Sequence, residues 1–185
     1  MANTLTKLSA TLLFVFSISA CSLESEKNNT DIALPVKYKD IVLSFLKANI
    51  DEVTFSPIAN GNLFLKNKLY GGLTLSSSSF ETLATLAKTL SLPYVKKANL
   101  PSLILLNNTL PEKRKTIDQV FQIGGSDSVT TYQLKTLNAF ILEKNNKTFE
   151  IWIINPDDND IYYVLNGVTT VENAKVILDK IHRAY

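Results

Sequence analysis

The sequence is poor in the residues that carry most chemistry: among 185 residues there is one cysteine, one histidine and one tryptophan. A lone cysteine has no disulfide partner, so an exported domain built from this chain must hold by packing alone. With His182 as the only imidazole, neither a multi-histidine metal site nor a Cys/His pair can be assembled. A serine hydrolase would have to rely on that same residue, and no Gly-x-Ser-x-Gly elbow accompanies it. Gly124-Gly125-Ser126-Asp127 lacks the Gly-Lys-Ser/Thr of a phosphate-binding loop and reads as a chain breaker. Charge of one sign is lacking as well. A formal net charge of +2 argues against a polyanion-binding protein, which normally carries a clustered basic excess. Past the N-terminus, no apolar run approaches the roughly 20 residues that span a bilayer.

What is present begins with the N-terminus. Lys7 precedes an apolar run from Leu8 to Ile18, and the small residues Ser19 and Ala20 lead to the single cysteine, Cys21. The run has the length of a secretory signal core and is too short for a permanent membrane helix. Ile18-Ser19-Ala20-Cys21 resembles the lipobox of bacterial lipoproteins. That resemblance covers the first 21 residues and implies cleavage before Cys21, acylation of that residue and attachment to a membrane. By analogy with enteric lipoproteins, Ser22 at the following position implies the outer membrane, facing the periplasm. On this reading residues 1–20 are a signal peptide, 21–31 a polar lipidated tether, and 32–185 a single periplasmic domain.

The domain reads as α+β with a largely antiparallel sheet and about three helices. Tyr38, Ile41, Val42, Phe45 and Leu46 recur at helical spacing and predict a helix over 36–49. Residues 62–75, divided by Gly71-Gly72, read as short antiparallel strands. The serine run 76–79 starts a helix over 79–91, with Ser78 and Glu81 in capping-box spacing. Residues 102–106 look like a buried strand between two prolines, 111–115 a basic turn, and Ile117, Val120 and Phe121 a short helix or loop anchors. Three consecutive strands follow at 136–144, 148–154 and 160–166. A two-residue Asn145-Asn146 turn would set Leu142 opposite Phe149 and Ala139 opposite Trp152. A last helix, with Thr169 and Glu172 in capping-box spacing, would place Ala174, Ile177, Leu178, Ile181 and Tyr185 on one side and His182 in its final turn.

Two features stand out as candidate contact sites. Trp152, if exposed, would make an aromatic anchor for a partner; the alternative is a residue covered by its own domain. The segment containing Asp157, Asp158 and Asp160 concentrates hard oxygen ligands, but Asn, Asp and Pro are also what a tight turn selects, and the order of an EF-hand is missing. A calcium loop and an acidic partner-binding loop are the functional alternatives to a plain turn. Paired carboxylates, such as Asp51 with Glu52 or Glu143 with Glu150, leave room for a small glycan hydrolase. No cofactor and no metal is implied. The reading that fits best is a membrane-anchored module that binds another protein of the envelope, as inhibitors and immunity proteins do. An accessory lipoprotein of an envelope assembly or secretion machine is the second reading.

Overall fold

The computed structural model describes residues 32–56, 61–106, 110–158 and 160–184. The expected signal peptide (1–20), Cys21 and the rest of the expected tether (22–31), Asn159 and Tyr185 lie outside the described residues. Among the described residues the chain is α+β, with ten strands and four α-helices: β1 (Ala33–Tyr38), β2 (Ile41–Leu46), β3 (Ile50–Phe55), β4 (Leu63–Asn67), β5 (Gly71–Ser79), α1 (Phe80–Thr89), α2 (Leu100–Leu106), α3 (Pro111–Phe121), β6 (Val129–Gln133), β7 (Asn138–Glu143), β8 (Phe149–Ile154), β9 (Ile161–Val168), α4 (Val171–Leu178) and β10 (Ile181–Arg183). No helix of the described residues is long and apolar enough to cross a membrane.

Seven strands form one antiparallel sheet in the order β3-β4-β5-β9-β8-β7-β6, and β1-β2-β10 form a second. The large sheet is the middle layer. On one face Phe140, Leu142, Trp152, Ile154 and Val164 pack against Phe80 and Leu83 of α1, Ile104 of α2 and Ile117 of α3. On the other face Ala139, Ile141, Ile151, Ile153 and Leu165 pack against Ile41, Leu43 and Phe45 of β2 and Ala174 and Ile177 of α4. Strands β7, β8 and β9 are therefore apolar on both sides, as strands covered by two layers must be.

Several expectations are corrected here. The predicted helix over 36–49 is a hairpin, β1-β2, with Tyr38 opposite Ile41 and Lys39 at φ +53° in its turn. Ile41 and Phe45, which recur at helical spacing, also alternate with Leu43 on the core face, and the β-branched Ile41 and Val42 fit a pleated strand. The predicted strand at 102–106 is helix α2, whose Leu100, Ile104 and Leu105 are buried at helical spacing and whose Pro101 sits in the first turn, where a missing N–H costs nothing. The predicted basic turn at 111–115 opens α3 with Pro111 at its start, and Ile117 to Phe121 continue it. Helices therefore number four, not three, and β6 is a strand that the sequence pattern does not announce.

Helix α1 lies where the sequence places it, but its cap is Ser79, which accepts from the Glu81 amide; Ser78 still belongs to β5. Helix α4 is likewise capped one residue later than predicted, by Thr170 accepting from the Asn173 amide. It ends at Leu178, so Ile181 and His182 belong to β10, paired with Leu43 and Val42 of β2. The β7-β8 hairpin is in a different register: Leu142 opposes Glu150, and Phe140 opposes Trp152. Its loop spans 145–147, with Lys147 at φ +63° and the Lys144 amide donating to the Thr148 carbonyl at 2.8 Å. This is the three-residue hairpin with a left-handed last position.

Candidate functional site

At one end of the central sheet the β1-β2 turn, the β8-β9 loop, the start of β9 and β10 border a common cleft of about 510 Å³. Asp40 comes from the turn, Asp157, Asp158 and Asp160 from the loop, Tyr163 from β9 and Arg183 from β10. The loop holds its shape through its own side chains. Asn155 Oδ1 accepts from the Asp157 amide at 3.1 Å, and Asp158 Oδ1 accepts from the amides of Asp160 at 2.7 Å and Ile161 at 3.2 Å. These are the side-chain turns for which Asn and Asp are selected, so the plain-turn reading accounts for one oxygen of Asp158.

The loop is also tied to the hairpin turn 115 residues earlier. Asn155, only 2 % exposed, donates from Nδ2 to Asp40 Oδ2 at 2.7 Å. The Asp40 carbonyl accepts from the Ala184 amide at 2.7 Å, which brings the C-terminal segment to the same place. Both cations of the cleft are engaged: Arg183 Nη1 donates to Asp157 Oδ2 at 2.6 Å, and Lys39 Nζ donates to Ser77 Oγ at 2.6 Å. Two buried polar atoms here remain unpartnered. Asp40 Oδ1 is buried without a hydrogen-bond partner, and so is the hydroxyl of Tyr163, a residue 0 % exposed that lines the cleft. The Asp160 carboxylate is exposed, with Lys97, whose pKa is raised by Glu81 and also by Asp160, as an electrostatic neighbour. The cleft is thus a predominantly acidic depression mounted on strand ends.

Of the candidate residues, the structure brings Asp157, Asp158 and Asp160 together and leaves Trp152 elsewhere. Trp152 is 1 % exposed, beneath the helical layer, with its ring 5.0 Å from that of Phe121 and 5.1 Å from that of Tyr162. Its indole N–H donates to Glu150 Oε1 at 2.6 Å, and Glu150 Oε2 faces Lys144 Nζ at 3.3 Å. The exposure that an aromatic anchor needs is absent, so Trp152 is a core residue and not a surface contact. The two carboxylates Glu143 and Glu150 lie opposite Phe149 and Leu142, on different faces of the sheet, and do not converge on one substrate position. Asp51 is 3.7 Å from Lys68 Nζ, and Glu52 accepts from the Thr54 hydroxyl. Among the described residues no three histidine, cysteine, aspartate or glutamate side chains are placed to hold a metal ion.

Sequence reasoning finds the loop and misses its surroundings. Lys39, Asp40, Tyr163 and Arg183 carry no motif, and nothing in their spacing along the chain joins them to residues 155–160. No protein-family model matches the chain, and no curated protein matches it either.

Proposed function

We propose that the chain is a membrane-anchored periplasmic lipoprotein whose domain binds another protein, as an inhibitor or immunity protein against an enzyme or toxin that attacks the envelope. The observation that carries this reading is the acidic cleft, in which carboxylates from two distant segments stand on strand ends and are tied together by the part-buried hydrogen bond from Asn155 to Asp40. A surface preorganised in this way loses little entropy when a partner docks, which favours tight binding over transient contact. The N-terminal resemblance supports the location: a lipid on Cys21 and a ten-residue polar leash after it would hold the domain close to the membrane surface.

Two experiments test the reading. The anchor predicts that labelled fatty acid is incorporated into the full chain expressed in bacteria and that Cys21→Ser abolishes it; persistent label in the variant removes the lipoprotein assignment. For the binding function, a C-terminally tagged full chain is recovered from envelopes of the host and of co-cultured competitors, and its companions are identified by mass spectrometry. One dominant stoichiometric partner that is an enzyme or toxin supports the inhibitor. Several components of one envelope machine overturn it in favour of an accessory subunit, and a chain recovered alone overturns protein binding altogether.

A further inference from the structure

Helix α1 and the chain that follows it enclose a second depression. Past the helix end the Leu92 amide donates to the Ala87 carbonyl at 2.9 Å, with Ser91 at φ +50° just before it. The chain then returns beside the helix, because Lys97 Nζ reaches Glu81 Oε1 in the first turn at 2.5 Å. A groove of about 360 Å³ lies between the two. It is crossed at one end by the Leu92–Ala87 hydrogen bond and at the other by the Lys97–Glu81 ion pair. From Glu81 to Lys88 the helix rises roughly 10 Å, which sets the length of the groove.

The walls of this groove are apolar and its rim is cationic. Ala84 and Ala87, one turn apart on the helix, leave room that larger side chains would fill, and Leu92, Val95 and Leu100 complete the walls. Tyr94, also part of the lining, is 98 % exposed, so nothing among the described residues covers its ring. Between residues 82 and 111 the chain has three lysines and no aspartate or glutamate. Lys97 is engaged with Glu81, but the Lys88 side chain lines the groove and makes no ion pair among the described residues. A ligand that suits such a site has an apolar body and one negative charge. A bilayer is flat and would leave the groove empty, and a branched or planar side chain would fill only part of its length. An unbranched alkyl chain can lie along it and touch both walls.

We infer that the groove between α1 and residues 92–100 is a binding site for a single-chain anionic amphiphile, a fatty-acid carboxylate. The alkyl chain lies over Ala84 and Ala87 against Val95 and Leu100, and the carboxylate accepts from the Lys88 ammonium at the mouth. The site shares no lining residue with the acidic cleft, so it goes beyond the protein-binding reading and does not rest on it.

The test is a titration of the isotopically labelled full chain with hexanoate, octanoate and decanoate below their micellar concentrations, followed by amide chemical shifts. Octanol, octylammonium and phosphatidylglycerol vesicles are the parallel probes. Saturable shifts centred on residues 81–100 are expected, with affinity rising about fourfold for each added methylene until the groove is full. Octanoate should bind more tightly than octanol, and octylammonium more weakly than either. Ala84→Leu fills the groove with a good helix former and is expected to weaken octanoate binding by about tenfold. Lys88→Gln removes an exposed charge and should bring octanoate down to the affinity of octanol, a change that a merely structural lysine would not produce. Should Ala84→Leu fail to fold, the chain-length series and Lys88→Gln still decide. No saturable response, an affinity independent of chain length, or equal binding of octanoate and octanol by the native chain overturns the inference. A response to vesicles with none to octanoate also overturns it, in favour of a membrane contact. The protein-binding reading stands or falls on the envelope recovery alone, so the two fail separately.

Discussion

Gly167 shows how a single atom constrains this sheet. It sits at φ +95° in β9, where the pairing with β8 shifts between Phe149 and Glu150. A Cβ added there would lie 2.0 Å from the carbonyl oxygen of Gly72 on the neighbouring strand. The position therefore needs glycine twice, for its backbone angle and for the close approach of β5. Gly167→Ala is expected to lower stability by about 3 kcal/mol or more in urea denaturation; a loss under 1 kcal/mol would mean that β5 and β9 separate easily. Tyr162 sets a different constraint. Burial in the helical-side core pushes its hydroxyl pKa up to about 12, with Glu150 adding to the rise and a hydrogen bond with Ser78 opposing it. The folded chain thus keeps a proton that the unfolded chain releases near pH 10. The associated stability is complete below pH 10 and is lost as pH climbs from 10 towards 12, with a total on the order of 2 kcal/mol. Denaturation midpoints of the native chain should fall more steeply than those of Tyr162→Phe between pH 9 and 11.5, and parallel curves would show that Tyr162 ionises freely in the folded state.

Among the elements, helix α1 gives the cleanest experiment. Ser78 has the capping spacing in the sequence, but Ser79 Oγ accepts from the Glu81 amide while Ser78 is paired with Tyr162 in the sheet. Ser79→Ala is therefore expected to cost about 1 kcal/mol through the lost cap, measured by thermal or urea unfolding. A loss seen only with Ser78→Ala would move the start of the helix back by one residue. The limits of the sequence reading follow from the same kind of ambiguity. Helix α1, the glycine-split pair β4-β5 and helix α4 are legible because polar and apolar residues recur at one period, and strands β7 to β9 because short apolar runs are bounded by turn residues. The segment 36–49 satisfies both periods, and the strands are stabilised by pairings outside it, of β2 with the start of β1 and with β10. Residues 103–106 are all apolar and have no period to read. The β7-β8 register escapes for a third reason. Both strands are buried on both faces, so sliding the pairing by one residue exchanges one apolar face for another, and the pattern loses its usual power to fix register. The decision passes to the loop, where Lys147 takes a left-handed angle that composition assigns to Asn or Gly.

At the scale of the whole molecule, two cores share one sheet and their protection is uneven. Strands β8 and β9 carry Ile151, Ile153 and Leu165 into one core and Trp152 and Val164 into the other, with neighbours on both edges. Strand β3 is the contrary case: it is an edge, five of its six residues are exposed, and its register with β4 shifts between Ile50 and Glu52. The candidate cleft lies between these extremes, since it is built where the well-covered β9 meets a loop and two short segments from the other sheet. That is also why the sequence shows half of it. The acidic loop is local, whereas Asp40 and Arg183 reach it only after both sheets have closed around the core formed with Tyr38 and Tyr163, whose rings meet edge-on at 6.0 Å. Amide hydrogen exchange should follow this order. Amides of β8 and β9 should exchange only through global unfolding, and those of Val53 to Phe55 should exchange through local opening with little dependence on denaturant. The loop amides of Asp160 and Ile161, held by Asp158, should fall between. Protection of β3 equal to that of β8 would contradict the exposure of this edge and require that something covers it in solution.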